Sequence, residues 1–145
     1  MRVMLVLAAF AAALLVAVPA SAKVKKLEAK MSGANEMPAA DPDGTGTAKL
    51  RLDAAKKKVC FTIKVRNIGG VVAAHIHKGG KNVAMGSIVV PLIHSAEPGT
   101  KFTGCEKNVK KKLIRAILKH PRGYYVNVHT GDFPAGAIRG QLHRT

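Results

Sequence analysis

From residue 27 to residue 143 apolar side chains recur at every second position in short segments, a pattern that few folds satisfy. Ala48, Leu50 and Leu52 alternate with Lys49, Arg51 and Asp53, and Val59, Phe61, Ile63 and Val65 alternate with Cys60, Thr62, Lys64 and Arg66. An extended chain turns successive side chains to opposite faces, so each such segment buries one face and wets the other. Leu27–Met31, Val71–His77, Ser87–Leu92, Lys101–Cys105, Tyr124–His129 and Ala137–His143 complete the set, with turn-forming residues at 38–46, 67–70, 79–82, 97–99 and 131–136. Seven or eight half-buried strands predict an all-β domain, a sandwich or barrel. One segment departs from the period: over 106–119, Val109, Leu113, Ile114, Ile117 and Leu118 recur at three-to-four spacing with lysines on the other face. That spacing predicts an amphipathic helix, packed as a lid just before the C-terminal hairpin and ended by His120-Pro121-Arg122-Gly123.

The first 22 residues follow a different rule. Arg2 is their single charge, an apolar run of 16 residues extends from Val3 to Val18, and Pro19 precedes the small triplet Ala20-Ser21-Ala22. This order is that of a cleavable signal peptide, cut after Ala22. The run falls short of the roughly 20 residues that span a bilayer, which argues against an uncleaved anchor. The expected mature chain, residues 23–145, is one domain, secreted or periplasmic, with no transmembrane segment.

Lys and Arg number 24 against 8 Asp and Glu, and the loss of Arg2 with the leader leaves a charge of +15. Such a field attracts anionic partners, and the acidic polymers of a cell envelope are the partners it suggests. Nucleic acid is not expected: the basic residues are dispersed, Trp is absent, and Phe and Tyr are too scarce to stack bases. Two cysteines, Cys60 and Cys105, fall in the exported part. An even count in an oxidising compartment reads as a disulfide, with two buried free thiols as the alternative.

The histidines carry the chemistry. Alternation places Ala73, His75 and His77 on one face of their strand and Val72, Ala74 and Ile76 on the other. In the next-to-last strand Tyr125, Asn127 and His129 lie opposite the apolar Tyr124, Val126 and Val128, and in the last Arg139, Gln141 and His143 point outward. Should the His75 strand neighbour this hairpin, His75, His77 and His129 converge as ligands suited to copper or zinc. Asp132 is the candidate for an added carboxylate or an orienting partner, and Asn127, Thr130, Arg139 and Gln141 would line the site. Hydrogen bonds to backbone, Asn127 or Thr130 are the purely structural alternative. His94, His120 and His143 read as solvated, and no serine or cysteine nucleophile or close carboxylate pair stands in a recognisable setting, so no catalytic residue is assigned.

Taken together, several motifs resemble the CHRD domain. They are Ser32-Gly33-Ala34-Asn35-Glu36-Met37-Pro38 with Gly44-Thr45-Gly46-Thr47-Ala48; Ala74-His75-Ile76-His77 with Val89-Val90-Pro91-Leu92; Tyr125-Val126-Asn127-Val128-His129-Thr130; and Pro134-Ala135-Gly136-Ala137-Ile138-Arg139-Gly140-Gln141-Leu142. The resemblance covers about residues 27 to 142 and implies an immunoglobulin-like β-sandwich without established enzymatic activity. A looser likeness joins the chain to copper/zinc superoxide dismutase, a sandwich with a His-x-His copper pair on a strand. The long metal-binding loop of that enzyme has no counterpart here, since only Gly79 to Gly86 separate His77 from the next strand. Three functions follow in order: a non-enzymatic secreted protein with a His-lined, metal-binding site; a copper-dependent oxidoreductase of dismutase type; and a cationic protein that binds anionic polymers through its basic surface, the lysine-rich helix above all.

Overall fold

A computed structural model describes residues 24–145; the expected signal peptide, residues 1–22, lies outside the described residues. The strands are β1 (Lys25–Ser32), β2 (Thr45–Asp53), β3 (Lys58–Arg66), β4 (Val71–Lys78), β5 (Ser87–Ile93), β6 (Lys101–Glu106), β7 (Tyr124–Thr130), β8 (Ile138–Gln141) and β9 (His143–Arg144), with α1 (Lys111–Lys119) between β6 and β7. They form an antiparallel sandwich in the hydrogen-bonded order β5-β4-β7-β8-β1-β2-β3-β6, with β9 beside β1. The two layers, β5-β4-β7-β8 and β1-β2-β3-β6, are one sheet folded over at a corner. There β8 pairs with β1 where Arg139 stands opposite Ser32. At the opposite edges β5 and β6 come into contact, which brings the sheet close to a barrel.

The alternation read from the sequence builds the core. Leu50 and Leu52 of β2, Val59 and Ile63 of β3, Ile76 of β4, Val126 and Val128 of β7 and Ile138 of β8 are sealed between the layers. Each such side chain contributes about 1.5–3 kcal/mol relative to exposure. Ile114 and Ile117 of α1 join the same cluster, so the helix is the lid expected of it. Among the described residues no helix is long and apolar enough to cross a membrane.

Three local expectations need correction. The helix begins at Lys111 and not at 106, because Glu106 still pairs with Val59 in the sheet and Asn108 takes a left-handed backbone, φ 60°, that no helix accommodates. In β4 it is Val71, not Val72, that is sealed in the core. The pairing with β7 slips between Val71 and Ala73, and that irregularity shifts the alternation by one at the strand's start. Third, the hairpin strand expected over 137–143 is two strands: Ile138–Gln141 pairs with β7, whose Tyr124 O also accepts from Leu142 N–H at 2.9 Å, and His143–Arg144 pairs with β1 instead.

Candidate metal centre

β4 lies between β5 and β7, and β7 between β4 and β8. Register then sets the neighbours: His75 stands opposite Asn127, Ala73 opposite His129, His77 opposite Tyr125, and Asn127 in turn opposite Arg139. The polar faces expected of three strands are therefore one continuous surface. It is not open to water along its length, because the turn after β1 and the loop between β4 and β5 fold over it.

Arg139 holds that roof in place. It was expected to point outward and line the site, yet it is 1% exposed. Its Nε donates to Asn35 O at 2.6 Å, Nη1 to Val83 O at 2.8 Å and Ala84 O at 3.3 Å, and Nη2 to Lys81 O at 3.2 Å. The guanidinium also lies over the Tyr125 ring, 4.8 Å from its centroid, and 3.8 Å from Glu36 Oε2. The direction of the side chain was read correctly, but alternation says nothing of what covers a face.

Within this frame the three imidazoles meet. One nitrogen from each of His75, His77 and His129 lies within 4.8 Å of the others, and among the described residues no carboxylate or thiolate joins the group. His77 Nδ1 lies 2.8 Å from Gly86 O, and His129 Nδ1 lies 2.9 Å from Pro134 O. A carbonyl only accepts, so each Nδ1 carries the proton and donates it, and Nε2 of both rings is unprotonated. His77 Nε2 is buried without any hydrogen-bond partner. His129 Nε2 faces His75 Nδ1 at 3.1 Å, near the roughly 3.3 Å that separates two nitrogens bound at about 2.0 Å to one tetrahedral ion.

Position and orientation come from the surroundings. The His77 ring stacks on Tyr125, centroids 4.9 Å apart, and the Tyr125 hydroxyl accepts from Gly86 N–H at 3.0 Å, so one tyrosine fixes both the ring and the loop that orients it. Burial, and then the neighbouring His129, His77 and His94, push the His75 pKa down to about 4. Burial also lowers His77 and His129, against the raising effect of their backbone hydrogen bonds. The cluster is thus neutral at physiological pH, the state in which imidazole binds metal.

The remaining expected residues have other positions. Asp132 is exposed in the β7–β8 turn and contributes no atom to the converging group; Pro134 O orients His129 where Asp132 was expected to. A backbone carbonyl already fills the role, so the turn leaves the carboxylate in water. Thr130 is buried and its hydroxyl accepts from Phe133 N–H, closing that turn. Gln141 donates to Gly79 O and Arg122 O and ties the start of the β4–β5 loop to the segment that precedes β7. Asn127 is the lining residue that lies closest to expectation: 3% exposed, it donates to Glu36 Oε1 at 2.7 Å and leaves its own Oδ1 buried without a partner.

Glu36 was missed. Its carboxyl is buried between Asn127 and Arg139, and burial, opposed by the Arg139 charge, pushes its pKa up to about 7. It also lines a cavity of about 320 Å³ beside His77, with Met37, Met85 and Phe133 as apolar walls. The signal lay in the requirement of a buried Arg139 and Asn127 for an acceptor, which appears only once their burial is known. Cys60 and Cys105, directly opposite each other on β3 and β6, form the disulfide, and among the described residues no free cysteine remains.

The family model described as the CHRD domain matches residues 27–142, and so takes in every strand that contributes to this site. No curated protein and no solved structure matches the chain.

Proposed function

Because the chain belongs to the CHRD domain family, we propose that it is an exported, non-enzymatic binding protein that holds one divalent metal ion, copper or zinc, between His75, His77 and His129. The observation that carries this reading is the buried, unpartnered Nε2 of His77, held toward two further imidazole nitrogens while its Nδ1 is tied to Gly86 O. A buried lone pair without a donor costs about 1–3 kcal/mol, and metal coordination is the arrangement that recovers it. Metal-bound histidines ordinarily donate their other nitrogen to a carbonyl or carboxylate, as His77 and His129 do here. Three imidazoles without a thiolate suit zinc or copper and leave a coordination position for water or a ligand. Residues 1–22 serve as the export signal, and the disulfide is compatible with an oxidising compartment.

Mass spectrometry of protein purified from its secreting host without an affinity tag tests both parts. The intact mass should begin at Lys23 and include about one equivalent of copper or zinc. His75→Ala/His77→Ala should lose it, and His77→Ala alone should weaken binding by more than the roughly 10–100-fold that loss of an outer partner costs. A chain that stays metal-free on titration at neutral pH would reduce the cluster to structural histidines. Turnover of superoxide by copper-loaded protein above that of free copper would replace the binding role with an enzymatic one.

A further inference from the structure

The outer face of β1, β2, β3 and β6 lies across the core from the histidines and is an array of cations. Beyond Asp53 opposite Lys58 beside the β2–β3 turn, its successive cross-strand rows are Lys26, Arg51, Cys60, Cys105; then Glu28, Lys49, Thr62, Thr103; then Lys30, Thr47, Lys64, Lys101; and finally Thr45 opposite Arg66. All seven Lys and Arg side chains of these rows are exposed. Two pairs set like charges directly opposite, Lys26 against Arg51 and Lys64 against Lys101, an arrangement that destabilises a sheet. Only Glu28 offsets them within the rows, and among the described residues no cation of the face lies within 4.0 Å of a carboxylate. The fold thus sustains a repulsion that its own side chains do not relieve.

The chemistry between the charges narrows the partner. Strands about 4.8 Å apart and alternate residues about 7 Å apart set the cations at intervals that an extended charged chain can follow in either direction. Thr45, Thr47, Thr62 and Thr103 fill the intervals with hydroxyl donors, and Thr45, Thr47, Lys64 and Arg66 line a shallow groove. These rows hold no aromatic ring, so nothing on them stacks a base. We propose that this face binds a flexible linear polymer whose repeat is a phosphate and little else, recognised by charge spacing and hydroxyl contacts alone. The site is separate from the histidine cluster and does not depend on its metal.

Binding of end-labelled long-chain inorganic polyphosphate, followed by fluorescence anisotropy over a salt series, tests the assignment. Lys49→Gln/Arg51→Gln/Lys64→Gln removes three charges from the face, and Lys110→Gln/Lys111→Gln/Lys112→Gln removes three from the start of α1. The face variant should bind at least about tenfold more weakly and lower the slope of log K against log salt by about 2, whereas the helix variant should change affinity less than about twofold. Chelator should leave wild-type binding unchanged. The positions are exposed, and the single Lys64→Gln variant, which should weaken binding less but still more than the helix variant, covers the case in which the triple variant folds poorly. Equal weakening by the two triple variants would overturn the proposal in favour of net charge. Tighter binding of oligo(dT) of matched charge would assign the face to nucleic acid, and tighter binding of phosphatidylglycerol vesicles would assign it to a membrane surface.

Discussion

Arg139 shows how much of the site depends on one side chain that touches no histidine. Its donors satisfy four backbone carbonyls, three of them in the loop whose Gly86 O orients His77. Replacing it leaves those carbonyls buried and the Glu36 carboxyl without its counter-charge, and loss of one partner of a buried ionic group costs about 3–5 kcal/mol. Arg139→Met should lower urea stability by that amount. Arg139→Lys should not restore it, because an ammonium cannot span carbonyls in two separate segments as the planar fork does. A loss below about 1 kcal/mol would mean that the loop holds itself. The positions of His75 and His77 on one face were legible in the sequence because two residues of separation on a strand fix a shared face. The roles of Arg139 and Glu36 were not, because alternation assigns a direction and never the loop that covers it.

Among the elements, the β3–β6 pair carries the covalent link. Cys60 and Cys105 are partners in register, and their bond closes a loop of 45 residues that contains β4 and β5. Chain entropy then predicts that reduction costs about 3–4 kcal/mol while the hydrogen-bonded pairing survives. The urea midpoint of the reduced protein should fall with the far-ultraviolet dichroism of the native state retained, and an unmoved midpoint would remove the constraint from the account. The strands were legible from period two and the helix from its three-to-four spacing, yet the helix start was misplaced by five residues. Val109 explains why: its apolar side chain fits the helical period, but its N–H donates to Lys57 O and anchors a connecting segment. Periodicity records which side chains are apolar, not where their backbone finds its partners.

At the scale of the molecule, the buried site should be visible in the pH dependence of stability. His75, held near 4, binds a proton in the unfolded chain before it does in the folded one, so its contribution is lost as pH falls from about 6.5 toward 4. Glu36, raised to about 7, has the opposite sign: the folded state keeps its proton longer, and stability falls as pH rises from about 4.5 to 7. The two effects oppose each other over nearly the same range. In metal-free protein Glu36→Gln, which keeps an acceptor for Asn127, should therefore show a steeper loss of stability on acidification than wild type, measured as urea midpoints from pH 7 to pH 4.5; an unchanged profile would mean that Glu36 does not titrate there. The same scale separates what each level of description decided. The sequence by itself determined the β class, the lid helix and the histidine-bearing faces, because these rest on spacing along one chain. Tertiary structure alone decided that β4 lies against β7, that loops roof the polar face, and that seven scattered cations share the opposite one. Those outcomes depend on which strands become neighbours, and strand pairing is selected by the whole core at once rather than by any segment within it.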